Sequence, residues 1–298
     1  MEKTPVEIID IEARLGSPEY PKLLAEIPDP PECLFVKTAK GVGPDLGRSA
    51  VAIVGTRKAT AYGETLASSV SETLSRRGLV IVSGLALGID AAAHRGALKA
   101  EGRTIAVLAG GLDKVYPPQN EKLAEEILKA GGALISEYPP GTPPFKQNFL
   151  ARNRIISGLS AATVVIEAPR ISGAIQTARL AAEQGREVFV FPGGVGQSNY
   201  VGSHALIRDG ARLATSAEEI LEDLGFSSRN EGFNIASVPS LSSTEEECVY
   251  SLLRRAGSPL TIDKIIEETK LQPQLVGRAL ASLAIKKIIK EERGRYSI

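Results

Sequence analysis

The sequence predicts an α/β protein: an extended Rossmann-like, mainly parallel sheet with helices on both faces, plus a small C-terminal winged-helix domain. Short β-branched runs recur between Val51 and Phe191, and they are continuously apolar, as strands buried on both faces require. Helical patterns that end at glycine separate these runs. The pattern fades after Leu224, and a second, mainly helical unit begins at Thr244.

The apolar runs give the predicted strands, at residues 51–54, 79–82, 104–108, 133–136, 163–167 and 187–191. Between the first two strands, Leu66, Val70 and Leu74 are spaced by four, and this helical pattern stops at Gly78. A second helical pattern, 91–98, stops at Gly102. Strand–helix–strand repetition predicts right-handed crossovers and therefore a parallel sheet.

We expect four parts along the chain. Residues 1–45, rich in proline and acidic groups, form an N-terminal lead-in that packs on the Rossmann-like domain of residues 46–224. Residues 225–243, rich in Ser, Gly and Asn, form a linker. In residues 244–298, helices are predicted at 245–256, 262–269 and 272–286, followed by a hairpin of 288–291 and 295–298. Three helices and a β-wing indicate a winged helix.

The composition excludes several classes of protein. Lys plus Arg total 35 and so do Asp plus Glu, so a nucleic-acid site can arise only from local clustering. Cys33 and Cys248 lack metal-ligand spacing, and His94 and His204 stand alone. We therefore expect no disulfide framework, no structural zinc and no cofactor. The chain shows no signal core and no apolar run that could span a bilayer, which predicts a cytoplasmic protein without a membrane partner.

The segment 148–158, in the loop and helix between two predicted strands, has an unusual set of side chains. It carries Asn148, Phe149, Arg152, Asn153 and Arg154 within seven residues. Arginine suits phosphate, phenylalanine suits a base face, and asparagine suits a base or sugar edge. The alternative is structural: the arginines cap and solubilise a helix at 154–159, and Phe149 fills the core. The segment alone does not decide between them.

Other unusual residues also follow the predicted strands. They are Gly55, Thr56 and Arg57; Ser83, Gly84 and Gly88; Gly110 and Gly111; Glu137 with residues 146–154; residues 169–173; and residues 192–196. All lie past the carboxyl ends of strands, and open α/β sheets bind their ligands at this edge, where the strand order reverses. The helix N-termini after Gly88 and Gly173 add favourable dipoles for an anion.

Cations are concentrated at the same edge. They are Arg57, Lys58, Lys146, Arg152, Arg154, Arg170 and Arg179. Together with the glycine turns, they predict a ligand that is anionic and carries phosphate. Each turn taken alone is more often a simple tight turn, and residues 83–88 match neither a dinucleotide fingerprint nor a P-loop.

Two pairs of titratable residues admit a catalytic and a structural interpretation. Asp90 and His94, one helical turn apart, could form an acid–base pair, but we expect them to cap the helix and form internal hydrogen bonds. Glu137 and Glu167 end predicted strands and could be catalytic carboxylates. We expect them to pair with Arg154 or Arg152 instead.

Six stretches resemble, in order, the DNA-processing protein A (DprA, also called Smf) family. They are VAIVGTR at 51–57, VSGLALGIDAAAH at 82–94, TIAVLAGGLDKVYP at 104–117, SEYPPGTPP at 136–144, NFLARNRIISGLS at 148–160 and SGAIQTARLAAEQGREVFVFPG at 172–193. The resemblance covers essentially residues 18–224. The unit at 244–298 looks like the winged helix that many members append.

The resemblance implies a non-catalytic protein that binds single-stranded DNA through residues 46–224 and forms a homodimer. It also implies that the protein protects incoming DNA and loads the recombinase RecA onto it during natural transformation. The expected partners are therefore single-stranded DNA, RecA and a second copy of the chain.

The resemblance also places the DNA-binding residues. They are Arg57, Ser83, Gly84, Asn148, Phe149, Arg152, Asn153, Arg154, Ser172, Gly173 and Thr177, and we add Lys146 from the cluster of cations. Ala151 stands where the family usually has a basic residue, and Ala174 and Gln176 interrupt its Ser-Gly-Ser-Leu-Ile pattern. His204 stands where asparagine is common. The loss of a cation and a hydroxyl is expected to weaken DNA binding or to alter base preference.

The chief alternative is a nucleotide-binding enzyme. Residues 192–196 resemble the P-G-G-x-G-T-x-x-E loop of nucleoside-monophosphate phosphoribohydrolases, but Gln197 replaces the threonine and Tyr200 replaces the glutamate. Hydrolysis by that route therefore lacks its carboxylate. A nicotinamide-dependent dehydrogenase fails on the glycine spacing and on the missing acidic residue for the ribose.

Overall fold

The computed structural model describes residues 8–39 and 49–226, together with parts of the C-terminal region. Those parts are 245–246, 249–250, 252–253, 260–269, 271–285, 289–292 and 294–297. The chain divides into two compact units, Met1–Ser227 and Ser228–Ile298.

The first unit is built on one large sheet. Its strands are β1 (Ile8–Arg14), β2 (Cys33–Ala39), β3 (Ala50–Val54), β4 (Val80–Ser83), β5 (Thr104–Val107), β6 (Ala133–Ser136), β7 (Ala162–Val165), β8 (Glu187–Val190) and β9 (Arg212–Leu213). Their order is β1-β2-β6-β5-β4-β3-β7-β8-β9. Strands β3 to β9 are parallel, and β2 pairs antiparallel with both β6 and β1. The predicted mainly parallel sheet is confirmed, and the predicted strands match β3 to β8 to within one or two residues.

Helices cover both faces of this sheet. They are α1 (Lys22–Ala25), α2 (Ala61–Arg76), α3 (Ile89–Lys99), α4 (Glu121–Lys129), α5 (Lys146–Gly158), α6 (Gly173–Glu183), α7 (Val201–Arg208) and α8 (Ala217–Asp223). Ala52 and Val54 of β3 pack in the core under α1, α5, α6 and α7. Val51 and Ile53 point the other way, into the core under α2, α3 and α8. Within the described residues, no helix is long and apolar enough to cross a membrane.

Strands β1 and β2 were not predicted, although they extend the sheet. Leu34, Val36 and Thr38 of β2 are buried and alternate with partly exposed residues. That alternation is typical of an antiparallel strand near the edge of a sheet, whereas the sequence analysis relied on continuous apolar runs. Two segments of the lead-in, 8–14 and 33–39, therefore belong to the sheet, and the domain limits 1–45 and 46–224 stay a prediction.

The order of the strands reverses beside β3. The chain proceeds from β3 outward through β4, β5 and β6, and then α5 returns it to β7 on the other side of β3. The loops after β3 and β7 diverge at this point, so they leave a crevice at the carboxyl edge of the sheet.

The second unit contains helices Ile262–Thr269 and Pro273–Ile285, close to two of the predicted helices. Strand Arg295–Ser297 pairs with Leu260–Thr261 and with Lys290–Glu292, antiparallel in both cases. Its core includes Val249, Leu253, Ile265, Val276, Leu280 and Leu283. Half of the predicted helix 245–256 is described, at 245–246, 249–250 and 252–253, and is helical, whereas the predicted linker lies outside the described residues from 227 to 243. The winged-helix domain therefore stays a prediction.

Close packing of α3 on α2 gives a test of the fold. A Cβ added to Gly96 of α3 would lie 2.8 Å from the Ser68 Cα of α2. Replacing glycine by alanine inside a helix usually stabilises it by about 0.5–1 kcal/mol, but here the clash with Ser68 outweighs that gain. We expect Gly96→Ala to lower the free energy of unfolding by about 1–3 kcal/mol, measured by chemical denaturation.

Ser69→Ala is the matched control, because Ser69 lies in α2 and is exposed. It should change the free energy of unfolding by less than about 0.5 kcal/mol. Equal stability of the Gly96→Ala protein and the wild type would contradict the close contact between the two helices.

Candidate nucleic-acid interface

The crevice at the reversal of strand order is a cavity of about 400 Å³. Its walls come from the loop after β3, the first turns of α5, the loop after β7 and the start of α6. The predicted site residues that line it are Arg57, Lys146, Phe149, Arg152, Asn153, Ser172, Gly173 and Thr177. The predicted edge of the sheet therefore does bring most of the predicted residues together.

Helix α5 presents one face to this crevice. The predicted loop around Asn148 and Phe149 is wrong, because the helix already begins at Lys146, directly after extended Phe145. Side chains three and four positions apart share a helix face, so Phe149, Arg152 and Asn153 point into the same cavity. The prediction rested on the chemistry of these residues and not on their helical spacing.

Arg152 is almost fully buried and holds α5 onto the sheet. Only 4% of the residue is exposed, and its Nη1 donates to the carbonyls of Gly84, at 2.7 Å, and of Val107. Burial lowers the pKa of Arg152 to about 10, while the Asp90 carboxylate opposes that shift. A Cβ on Gly84 would lie 2.5 Å from Nη1, so the guanidinium requires glycine there.

Asp90 holds the turn between β4 and α3. Its Oδ2 accepts from the backbone N–H of Gly84 at 3.2 Å and of Ala86 at 3.4 Å. Burial raises the pKa of Asp90, and the Arg152 guanidinium opposes this shift. Gly88 in the same turn has φ +75°, and a Cβ there would lie 2.5 Å from the Thr56 carbonyl oxygen. The turn therefore packs directly on the loop after β3.

Predicted Ser83 does not face the crevice. It is fully buried, and its Oγ donates to the Ile53 carbonyl at 2.6 Å. Ser83 therefore joins strands β4 and β3 just below the edge of the sheet.

Exposed Arg57 packs against the ring of Phe149 at the mouth of the site. The Arg57 guanidinium carbon lies 5.0 Å from the centre of the Phe149 ring, in cation–π geometry. Phe149 is half-buried, and its ring meets Tyr116 edge-on, with centroids 5.7 Å apart and planes at 64°. The arrangement presents a cation and two aromatic rings side by side.

The N-terminus of α6 forms the facing wall. The Ser172 hydroxyl caps the helix by accepting from the Ala174 N–H at 3.2 Å. Asn153 Nδ2 donates to the Gly173 carbonyl at 3.4 Å, and Thr177 donates to the same oxygen at 3.2 Å. The positive end of the helix dipole is thus directed at the cavity, which favours an anion.

Two predicted residues of α5 lie outside this cavity. Arg154 pairs through Nε with Asp29 at 2.8 Å and through Nη2 with Glu137 at 2.7 Å. The expected pairing of Glu137 with Arg154 is therefore confirmed. Asn148 is buried, and its Nδ2 donates to the Pro143 carbonyl at 3.5 Å. Both side chains hold α5 in place from outside the crevice.

The expected pairing of Glu167 with an arginine is wrong. The fully buried carboxylate accepts from the Thr60 N–H at 3.0 Å, the Thr60 hydroxyl, Asn199 Nδ2 at 3.1 Å and the Tyr200 hydroxyl at 3.1 Å. Burial raises the pKa of Tyr200, and the Glu167 charge raises it further. Glu167 thereby fastens the loop after β3 to the loop after β8.

Four further residues at or beside the site were not among the predicted DNA-binding residues, although two of them, Leu150 and Ile171, lie in stretches predicted at this edge. Leu150 and Ile171 line the crevice, and Lys114 and Tyr116 border the small cleft behind Phe149. Tyr116 lies in the motif at 104–117, so its aromatic ring beside a lysine was the available signal.

His94 lies beneath the site and hydrogen-bonds internally, as expected. Its Nδ1 lies 2.7 Å from the Thr104 hydroxyl, which itself donates to the Ile81 carbonyl at 2.7 Å. Thr104 has a single hydrogen to donate, so Nδ1 carries the proton of a neutral imidazole. Burial, with the nearby charges of Arg152 and Arg95, lowers the pKa of His94 from 6.5 to about 3.

The first unit is a doubly wound, Rossmann-like α/β fold, and the cations, aromatic rings and helix N-terminus at its reversal of strand order are suited to an anion. The family model for DNA recombination-mediator protein A matches residues 13–225. The chain belongs to this family, DprA/Smf.

Several relatives support this assignment. Protein Smf of Escherichia coli is 48% identical over 207 residues, which are 70% of this chain and 54% of that protein. DNA processing protein DprA of Bacillus subtilis is 45% identical over 213 residues, 70% of each chain. The chain thus spans about half the length of the Escherichia coli relative.

Two solved structures share the fold. DprA from Streptococcus pneumoniae superposes with a TM-score of 0.67 at 41% identity, covering 72% of this chain and 74% of that one. DNA processing protein A from Helicobacter pylori gives a TM-score of 0.63 at 32% identity, covering 72% of this chain and 96% of that one. The latter structure is described as showing the single-stranded DNA binding mode of that protein.

The buried His94 predicts acid sensitivity. The unfolded chain takes up a proton below pH 6.5, whereas the folded imidazole does so only near pH 3. The contribution of neutral His94 to the free energy of unfolding is therefore fully present above pH 6.5. It is lost as pH falls, with a slope approaching about 1.4 kcal/mol per pH unit. Chemical denaturation at pH 7.5 and pH 5 measures this loss.

His94→Asn removes the titrating ring and keeps a donor for Thr104. We expect the variant to lose less stability than the wild type between the two pH values, whatever its stability at pH 7.5. Equal losses in the two proteins would show that His94 does not titrate as the burial requires.

Proposed function

We propose that this chain binds single-stranded DNA in the crevice and catalyses no reaction on it. The observation that carries the proposal is the exposed Arg57 packed over the Phe149 ring, opposite the N-terminus of α6. A cation beside an aromatic ring is the combination that grips a phosphodiester backbone and stacks a base. The single-stranded DNA binding of the Helicobacter pylori relative supports the same class of ligand.

The site residues divide into contacting and positioning groups. Exposed Arg57 and Lys146 bind phosphates, and Phe149 stacks a base. The backbone at Ser172 and Gly173 receives a further phosphate at the helix N-terminus.

Positioning residues shape this surface from behind or from beside it. They are Ser83, Gly84, Asn148, Arg152, Asn153, Arg154 and Thr177, which are buried or engaged by other protein groups. Their replacement is expected to disturb the fold of the site as well as its affinity.

A phosphoribohydrolase activity has no comparable support. Tyr200 replaces the glutamate of that loop, and its hydroxyl is directed at the buried Glu167 carboxylate 3.1 Å away. Glu167 in turn accepts hydrogen bonds from Thr60 and Asn199. Neither group is free to activate water in the crevice, which favours a binding function.

Membership in a recombination-mediator family extends the proposal to partners. We infer a cytoplasmic homodimer that protects incoming single strands and loads RecA recombinase onto them during transformation. Light scattering should report a dimer, and the protein should accelerate the assembly of RecA on an oligonucleotide. A monomer without effect on RecA would remove this part of the proposal.

The phosphate contacts can be tested by removing exposed charge. Arg57→Ala and Lys146→Ala should each weaken binding to single strands of any sequence. Each should also reduce the slope of log affinity against log salt by about 0.7, the value for one phosphate on a single strand. Titrations at several salt concentrations measure both quantities.

Arg77→Ala is the control for these variants, because Arg77 is an exposed arginine at the end of α2, outside the crevice. Its affinity and salt slope should equal those of the wild type. Wild-type slopes in both Arg57→Ala and Lys146→Ala would place the DNA elsewhere.

Stacking on Phe149 predicts a separate effect. Phe149→Ala should cost about 1–3 kcal/mol of binding free energy, with little change in thermal stability because the ring is half-exposed. Phe145→Ala serves as control, since Phe145 is exposed, precedes the same helix and does not line the crevice. Lost stability with intact affinity would show that Phe149 fills the core instead.

A further inference from the structure

The loop that carries Arg57 is anchored at its start, its middle and its end. This β3 loop comprises residues 55–60 and connects β3 to α2. At its start, the Thr56 N–H donates to the Glu167 carbonyl at 2.8 Å, and the Thr56 carbonyl accepts from the Ile89 N–H at 3.3 Å. The side chain that follows, Arg57, is exposed, so the backbone on either side of it sets its position.

The end of the β3 loop is anchored on the buried Glu167 carboxylate. The Thr60 N–H donates to Oε2 at 3.0 Å, and the Thr60 hydroxyl donates to Oε1. A Cβ on Gly63 would overlap the carboxylate, so the first turn of α2 lies directly against it. The negative charge thus lies at the N-terminus of a helix of 16 residues, where the helix dipole stabilises it.

The middle of the β3 loop is anchored by Asn199. Its Nδ2 donates to the Lys58 carbonyl at 3.2 Å and to Glu167 Oε2 at 3.1 Å. An amide nitrogen carries two hydrogens, so it can donate to both oxygens at once. Asn199 therefore joins the middle of the loop to the carboxylate that anchors its end.

Asn199 itself projects from a well-packed turn. It lies in the short helical turn Ser198–Tyr200, which directly precedes α7. The Tyr200 N–H donates to the Gln197 carbonyl at 3.0 Å, and the Tyr200 hydroxyl donates to Glu167 Oε1 at 3.1 Å. A Cβ on Gly193 would overlap the Tyr200 ring, so the ring fills the space beside that glycine. The amide of Asn199 is thus presented to the β3 loop from a fixed support.

This anchoring matters for a ligand because the cations of the β3 loop are exposed. Arg57 and Lys58 directly flank the peptide bond whose carbonyl group is next to the one that Asn199 holds, and both side chains extend into solvent. A loop that is ordered before its ligand arrives loses less conformational entropy on binding than a mobile one. Asn199 is neutral and does not line the crevice, so its influence on an anion there must pass through the loop.

We propose that Asn199 is a positioning residue for DNA binding, which fixes the β3 loop so that Arg57 and Lys58 are held ready at the mouth of the crevice. The inference rests on the proposed function and adds to it a residue outside the crevice. Two observations carry it: one amide bonds both the loop backbone and the carboxylate that anchors the loop, and the loop bears two exposed cations.

The first test is Asn199→Ala in the full chain, with an oligothymidylate as ligand at constant salt. We expect binding to weaken by about 3- to 10-fold, the factor that corresponds to ordering a side chain or two on binding. Asn199 is partly exposed, and Glu167 keeps Thr60 and Tyr200 as donors, so the variant should stay folded. Circular dichroism checks the fold.

The decisive test repeats the substitution in an Arg57→Ala/Lys58→Ala background. That background leaves the loop no cation to position, so Asn199→Ala should change the remaining affinity by less than about two-fold. A residue that contacted DNA directly would instead show its full effect in both backgrounds. The same loss in the two backgrounds would therefore overturn the proposal.

Gln197→Ala is the matched control. Gln197 is an exposed amide two residues away, and its Oε1 accepts from the Gly194 N–H at 3.2 Å, within its own loop. The variant should bind DNA as the wild type does. Wild-type affinity in Asn199→Ala, or an equal loss in Gln197→Ala, would contradict a specific role of Asn199.

The background variant also separates this inference from the proposed function. If Arg57→Ala/Lys58→Ala binds DNA as the wild type does, the crevice assignment fails and the inference fails with it. If that variant loses affinity while Asn199→Ala does not, the crevice assignment stands and the positioning role of Asn199 alone is wrong.

Discussion

The buried guanidinium of Arg152 is the interaction on which the rest of the site depends. It joins α5 to the ends of β4 and β5, through the carbonyls of Gly84 and Val107, and lies beside the Asp90 carboxylate. A buried charge costs several kcal/mol unless it is paired and hydrogen-bonded. These partners therefore fix the rotation of α5, and that rotation directs the Phe149 ring toward Arg57. The surface of the crevice is thus shaped by a residue that itself has almost no exposure.

The parallel strands and the edge of the sheet that carries the site could be predicted from the sequence, because buried parallel strands carry continuous apolar runs and the loops that follow them must share one edge. The roles of individual arginines could not. The sequence does not distinguish Arg57, Arg152 and Arg154 from one another. In the structure Arg57 is exposed, Arg152 is buried against backbone carbonyls, and Arg154 forms ion pairs with two carboxylates. Those differences arise from contacts between distant parts of the chain. For the same reason the partners of Glu167 and the pairing of β2 with β6 escaped prediction.

The distribution of charge matters more here than its sum. The chain has no net charge, but its arginines fall into two sets. Those such as Arg186 and Arg212 are paired with nearby carboxylates, whereas Arg57 is exposed at the mouth of the crevice. A local positive field on a neutral protein attracts a polyanion at short range and is screened within about 8–10 Å at physiological salt. Binding should accordingly be specific to this edge of the sheet.

Photochemical crosslinking tests the central claim most directly: single-stranded DNA lies in the crevice shaped by Arg152. An oligonucleotide carrying 5-bromouracil would be bound to the full chain and irradiated, and the modified residues would be located by mass spectrometry. The account predicts crosslinks at Phe149 and Tyr116, the aromatic rings of the site. Crosslinks confined to residues 244–298, or to α2 and α8 on the opposite face of the sheet, would contradict it.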